Sequence, residues 1–272
     1  MVERILRLCT LVKIPDMFQH FLAWRRRRIL LRHPLNDALW QDVLADLRLL
    51  QGLTTEDLKR LRQWVTLFLH AKRINAAGGL LLTDKMRLII AAQACLLILN
   101  LDLDYYAGWV EIIVYPDAFV PDHEVMDTSG VVHHVQAPLS GQAWLGGPVI
   151  LSWADASKQH TTPGDNVVIH EFAHKLDMLN GDANGFPPLH AEMSRQTWST
   201  VFSQAFEDFR GSVAADEDTE IDAYAAETPG EFFAVLSEAF FETPLAVLRA
   251  YPEAYTQLKL FYRQDPAQRD LV

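Results

Sequence analysis

The chain has 272 residues, half of them apolar, and a formal net charge of −11 at pH 7. A chain of this length and composition can bury a full hydrophobic core, and we expect one main domain. The acidic balance argues against nucleic-acid binding, because such proteins usually need a dominant basic surface to release counterions from phosphates.

Residues 1–34 contain the one dense basic cluster, Arg25–Arg28 followed by Arg32, between two apolar segments. We interpret the cluster as a solvated helix face or an arm; contact with a membrane surface or a partner is the alternative. The apolar start is no signal peptide, because charged residues interrupt it at Arg4, Arg7, Lys13 and Asp16. We therefore expect a cytoplasmic protein whose main domain covers residues 35–272.

The first third of the main domain has the apolar periodicity of helices. From Leu35 to about Gly79 it predicts two helices that form a hairpin, and a third helix runs from Thr83 to about Leu99. The most apolar stretch, residues 88–101, is shorter than the roughly 20 residues that cross a bilayer. It predicts a buried helix and no transmembrane segment.

The pattern changes to short β-rich runs between Gly108 and Asp155, separated by Gly, Pro and Ser. Strand candidates lie at residues 110–115, 131–135 and 149–153, and their short connections predict a small, mostly antiparallel sheet. Helical patterns then return at about residues 164–180, 191–210, 230–242 and 252–264. The fold class expected from this order is α+β, with helices flanking the sheet.

The segment His170-Glu171-Phe172-Ala173-His174 matches the H-E-x-x-H pattern and falls inside a predicted helix. On a helix the two histidines lie one turn apart on the same face, so both can bind one zinc ion, and Glu171 can act on a metal-bound water as general base. The alternative is a helix with two incidental histidines. Asp177 could orient an imidazole by accepting a hydrogen bond from its free ring N–H, or it could be a solvated acid near the helix end.

A catalytic zinc takes three protein ligands, so one more is required. The chain after His174 lacks the glycine and third histidine of metzincins, which leaves a glutamate from a later helix. Four glutamates fall near a single helical stripe, and periodicity does not choose among Glu227, Glu231, Glu238 and Glu242. Pro229 predicts that the helix begins near residue 229, so Glu227 lies before its first turn. Thr228-Pro229-Gly230-Glu231 is also a capping box, in which Glu231 would only satisfy a backbone N–H.

Several segments together resemble the Mlc titration factor A family. They include His170 to Asp177, Asn180-Gly181-Asp182, Asp222 to Ala226, Glu231 to Phe241, Ile113 to Pro116, Ser140 to Trp144 and Gly147 to Trp153. The resemblance covers about residues 35–265; residues 1–34 match nothing in it.

Members of that family are zinc metallopeptidases whose catalytic core is similar to that of anthrax lethal factor. The resemblance therefore implies a zincin-like metallopeptidase fold with one Zn²⁺ per chain. By the same resemblance the third metal ligand falls on Glu231 and a catalytic tyrosine on Tyr224. A tyrosine suits this chemistry, because its O–H can donate to the oxyanion that forms when the carbonyl is attacked.

The function expected is hydrolysis of a peptide or protein substrate. We expect an edge strand that binds an extended peptide by β-augmentation, at Val149, Ile150, Leu151, Ser152 and Trp153. The alternative there is an ordinary strand covered by a loop. Family members also bind a glucose-responsive transcriptional repressor. A second hypothesis is therefore a regulatory binding protein with weak or secondary peptidase activity, and a third is a zinc hydrolase for non-peptide amides.

Overall fold

The structure of the protein is a computed structural model that describes residues 16–118, 123–126, 132–135, 141–157 and 165–269. The chain divides into two compact units, Met1–Pro34 and Leu35–Val272. The first unit contains one long helix, α1 (Asp16–Arg32). Within the described ranges, no helix combines the length and the hydropathy needed to cross a bilayer.

The second unit begins with three helices, each capped by a polar side chain at its start. They are α2 (Asp37–Asp46), α3 (Thr55–Ala71) and α4 (Asp84–Leu97), with caps Asn36, Thr54 and Thr83. Between α3 and α4 lies a strand, β1 (Arg73–Ala76), in a stretch where the sequence predicted a continuing helical pattern. Four residues are too short a run for periodicity to identify.

The remaining strands are β2 (Glu111–Tyr115), β3 (His123–Met126), β4 (Val132–Val135), β5 (Gly141–Ala143) and β6 (Val149–Ser152). Strands β3 and β4 form an antiparallel pair, and the other four form one sheet in the order β1-β2-β6-β5. In that sheet β1 pairs with β2 and β2 with β6 in parallel, while β5 and β6 are antiparallel. The expectation of a mostly antiparallel sheet was wrong, because β1 and β2 are joined through α4, and a crossover helix produces parallel pairing.

The position of β6 also corrects the predicted substrate strand. Strand β6 lies between β2 and β5, so its backbone is paired on both sides, and Trp153 begins a short helix, α5 (Trp153–Ala156). Val149, Leu151 and Ser152 are buried, and Ile150 is half-buried. Val149, Ile150, Leu151, Ser152 and Trp153 are therefore not an exposed edge. Among the strands that the structure describes, the edge on this side of the sheet is β5.

The C-terminal half is helical, and prolines mark several helix starts. Its helices are α6 (Val167–Asp177), α7 (Arg195–Ala214), α8 (Pro229–Glu242), α9 (Pro244–Ala250), α10 (Pro252–Tyr262) and α11 (Pro266–Arg269). Proline suits the first helical position because its missing N–H has no intrahelical partner there.

Helix α6, which contains the His-Glu-x-x-His motif, is the centre of the core. It packs against α4, α8, β5 and β6. The Phe172 ring lies 5.2–5.8 Å from the rings of Phe68, Tyr106 and Trp109. Packing on several sides fixes the helix and therefore the side chains on its remaining face.

Candidate metal centre

Three candidate ligand atoms converge where α6 meets the first turn of α8. The Nε2 atoms of His170 and His174 lie 3.1 Å apart. Glu231 Oε2 lies 3.0 Å from His170 Nε2 and 3.3 Å from His174 Nε2. Within the described part of the chain, these three residues form the group of His, Cys, Asp and Glu side chains that could hold a metal ion.

This arrangement fits a zinc ion. At a metal–ligand distance of about 2.0–2.1 Å, two ligands of a tetrahedral zinc are about 3.3 Å apart. The separations of 3.0–3.3 Å between the three atoms match that spacing. Two imidazoles and one carboxylate are also a donor set that catalytic zinc sites use, with a fourth position open.

The start of α8 separates the two interpretations of Glu231. The cap is Thr228, whose Oγ1 accepts a hydrogen bond from Glu231 N–H at 3.1 Å. The Glu231 carboxylate itself is turned toward the two histidines. Burial raises the pKa of Glu231, but hydrogen bonds to His170 and His174 outweigh that effect and hold the pKa at about 2. The backbone N–H and the carboxylate of Glu231 thus have different partners.

Glu238 holds the ring of His170 from the other side. Its Oε1 lies 2.6 Å from His170 Nδ1, and its Oε2 accepts the backbone N–H of Asn166 at 2.6 Å. The Asn166 side chain donates to Glu242 and Gln93 at 2.6 and 2.7 Å. Burial lowers the pKa of His170, but Glu238 and Glu231 outweigh it and raise that pKa. A carboxylate at Nδ1 directs Nε2 toward the centre.

Asp177, which we expected to orient an imidazole, has a different partner. Its Oδ2 accepts the N–H of Gly185 at 2.7 Å, while Oδ1 has no hydrogen-bond partner. His174 Nδ1 is likewise buried without a partner. Asp177 thus anchors the turn after α6, because its carboxylate accepts a backbone N–H from that turn. Glu238, seven residues and two turns after Glu231, is the carboxylate that contacts a histidine ring.

Glu171 lies against the edge strand β5. Its side chain is buried, and Oε2 has no hydrogen-bond partner. Burial raises the pKa of Glu171 to about 7, although His170 and His174 act in the opposite direction. A Cβ on Gly141 would come within 2.4 Å of Glu171 Oε1, so only glycine lets the strand approach this closely. Sequence reasoning missed this contact; a glycine in a short strand was its one signal.

Tyr224 reaches the same region from a short 3-10 turn, Ala223–Ala226, whose start is capped by Asp222. Its ring centroid is 6.0 Å from that of His170, and the side chain is 44% exposed. Burial and the charge of Glu231 raise the pKa of Tyr224 above its usual value. The phenol therefore keeps its proton at neutral pH, and the exposed side chain lies beside His170.

Lys175 connects helix α6 to the turn that follows the edge strand β5. Its Nζ donates to the carbonyl oxygens of Trp144 at 2.5 Å and Gly147 at 2.8 Å, in the turn between β5 and β6. The ammonium also lies 5.1 Å from the centre of the Trp109 ring. Burial lowers the pKa of Lys175 to about 8. Lys175 follows His174 directly on α6. The same helix therefore carries the two histidines and the side chain that fixes the turn after β5.

Comparison with known proteins places the chain in a family. A family model described as "Glucose-regulated metallo-peptidase M90" matches residues 21–263. Mlc titration factor A of Salmonella arizonae is 40% identical over 238 residues, covering 86% of this chain and 93% of that protein. Mlc titration factor A of Salmonella typhi is 40% identical over 235 residues, covering 85% and 87%. These matches confirm the resemblance inferred from the sequence, and the family model also includes residues 21–34, which we had expected to lie outside it. The chain belongs to the glucose-regulated metallo-peptidase M90 family.

Proposed function

We propose that this chain is a zinc-dependent peptidase with a zincin-like catalytic core. In the proposal His170, His174 and Glu231 hold one Zn²⁺, and Glu171 is the general base. The proposal rests on the convergence of the three ligand atoms at 3.0–3.3 Å, next to the buried Glu171, whose Oε2 has no hydrogen-bond partner. A purely structural zinc would need a fourth protein ligand and no base.

The reaction divides among the side chains of this chain. Bound zinc supplies a Lewis acid that polarises the scissile carbonyl and acidifies water. Glu171 takes a proton from the attacking water and passes it to the leaving amine. Tyr224 donates its O–H to the oxyanion, because its phenol is protonated and lies beside His170. Glu238 keeps the His170 ring in position.

The edge strand β5 is the proposed site for an extended peptide. Its outer side faces away from β6, and residue Gly141 lies against Glu171. A peptide that adds a strand here gains backbone hydrogen bonds and brings its scissile bond next to the general base. The Lys175 contacts to the β5–β6 turn hold this edge in register with α6.

A second candidate function is regulatory binding. The relatives at 40% identity are named Mlc titration factor A, a name that refers to Mlc. The family resemblance implies that the binding partner is a glucose-responsive transcriptional repressor. In this alternative, binding is the main task and peptidase activity is weak or secondary. Glu171 beside both histidines favours catalysis, because binding alone needs no buried general base.

The peptidase proposal is tested with a panel of peptides that have free or blocked N-termini. We expect the purified chain to cleave at least one class, to lose the activity with a zinc chelator, and to regain it with about one equivalent of Zn²⁺. The control is chelator already saturated with zinc. Cleavage that persists after metal removal would contradict the proposal. Binding of the repressor without cleavage of any peptide would favour the second candidate.

For Tyr224→Phe we expect kcat to fall by roughly 10²–10³ with a smaller change in KM, because an oxyanion donor acts mainly in the transition state. Steady-state kinetics on a susceptible peptide measure both constants. Tyr105→Phe is the matched control. Tyr105 is also a tyrosine next to a histidine, with its hydroxyl 3.4 Å from His190 Nδ1, but it has no role in the proposed mechanism. An unchanged kcat in Tyr224→Phe would leave this tyrosine with a packing role only.

A further inference from the structure

One face of α1 carries arginines interleaved with large apolar side chains. At 100° per residue, six positions spaced three and four apart fall within an arc of about 120°. They are Phe21, Trp24, Arg25, Arg28, Leu31 and Arg32. We call this set the arginine–aromatic stripe. All six side chains are exposed, including Phe21 at 52%, Trp24 at 54% and Leu31 at 74%.

The side chains of the stripe also contact one another. The rings of Phe21 and Trp24 are stacked with centroids 5.9 Å apart. The guanidinium of Arg28 lies 5.2 Å from the centre of the Trp24 ring, on its face. Phe21, Trp24 and Arg28 therefore bring cationic and apolar groups into contact on this face. A large exposed apolar patch of this kind usually marks an interaction site.

The charge of this unit is opposite to that of the rest of the chain. Residues 1–34 contain eight arginines and lysines and two acids, so they carry +6 of a chain whose net charge is −11. The remaining residues carry −17. A positive unit of this kind selects an anionic partner.

We propose that the arginine–aromatic stripe binds an anionic phospholipid surface, with α1 lying in the plane of the interface. Arginine side chains can place guanidinium groups among lipid phosphates while their stems follow the apolar boundary. Tryptophan and phenylalanine rings are favoured at the same depth. The inference concerns α1 alone and does not depend on the peptidase proposal.

Leu31 favours a bilayer over a nucleic acid. Transfer of this aliphatic side chain from water to an apolar phase is favourable. A bilayer offers such a phase, and a phosphate backbone does not. It is the most exposed of the three apolar residues of the stripe, at 74%.

The test is sedimentation of the full chain with vesicles of phosphatidylcholine alone or mixed with phosphatidylglycerol. We expect binding to the anionic vesicles only, weakening as salt increases. Each arginine near an anionic surface contributes about fivefold, so Arg25→Gln with Arg28→Gln should weaken binding about 25-fold. Glutamine is used in both arginine variants because it has nearly the same helix propensity as arginine. Trp24→Ala should also weaken vesicle binding.

The matched control is Arg210→Gln with Arg249→Gln, which removes the same charge from exposed positions of the other unit. Binding of this pair within about twofold of wild type supports the proposal. Equal binding to neutral and anionic vesicles, an equal loss in the control pair, or no vesicle binding would overturn it. Binding of a single-stranded oligonucleotide without vesicle binding would overturn it as well.

Discussion

Replacing Glu171 with glutamine will lower kcat/KM for a susceptible peptide by about 10²–10⁴ and leave the zinc content unchanged. Glutamine is nearly isosteric with glutamate, but its amide does not accept the proton of the attacking water. The side chain is buried, and its Oε2 has no hydrogen-bond partner to lose. Its carboxylate is also outside the group of three convergent ligand atoms, so metal binding should persist.

The measurement combines steady-state kinetics with metal analysis of the same preparation. Glu227→Gln is the matched control, because Glu227 is exposed just before α8 and has no role in the proposed mechanism. It should keep wild-type turnover. If Glu171→Gln turns over within a few-fold of wild type, Glu171 is not the general base.

Replacing Glu231 with glutamine should weaken zinc binding by more than 100-fold, while Glu238→Gln should weaken it by about 10–100-fold. Glu231 offers its oxygen at the two Nε2 atoms, so its loss leaves two histidines as ligands. Glu238 acts on His170 Nδ1 and on Asn166 N–H. A glutamine there retains one acceptor for these two donors, and the His170 ring is held less firmly.

Competition with a zinc-buffering chelator measures these affinities, and thermal melts of the metal-free proteins measure stability. Thr228→Ala separates capping from ligation, since it should cost about 1 kcal/mol of stability and leave zinc affinity intact. Wild-type affinity in Glu231→Gln together with a loss in Glu238→Gln or Glu227→Gln would show that another glutamate is the ligand.

The sequence predicts α6 and its two histidines well because both depend on spacing within one helix. The third candidate ligand is harder, since Glu231, Glu238 and Glu242 share a stripe of α8. Only the way α8 approaches α6 distinguishes them: Glu231 faces both histidines, and Glu238 faces the far side of one. The family resemblance, and not periodicity, singled out Glu231.

The sheet was the least predictable part because strand pairing is a long-range property. Strand β1 has four residues and β5 has three, too few for an alternating pattern. Without β1, the crossover through α4 is not visible and the sheet appears antiparallel from its short loops. Without β5, the β-rich run at residues 149–152 has no neighbour on that side and is taken for an edge.

The side chain that orients His170 was also not predictable from spacing along the sequence. Asp177 is close to His174 in sequence, which is why we expected it to orient a ring. In the fold it binds the turn that contains Gly185, and the carboxylate at His170 comes from 68 residues further along the chain. Spacing on one helix says nothing about which side chain a second helix will present.

Metal analysis of the purified chain will show whether His170, His174 and Glu231 form a three-ligand zinc site. We expect about one zinc per chain in the wild type and none in the His170→Ala, His174→Ala double variant. The double variant should keep the fold of the metal-free protein, which circular dichroism can check. Stoichiometric zinc in that variant would show that the two histidines are not the metal ligands.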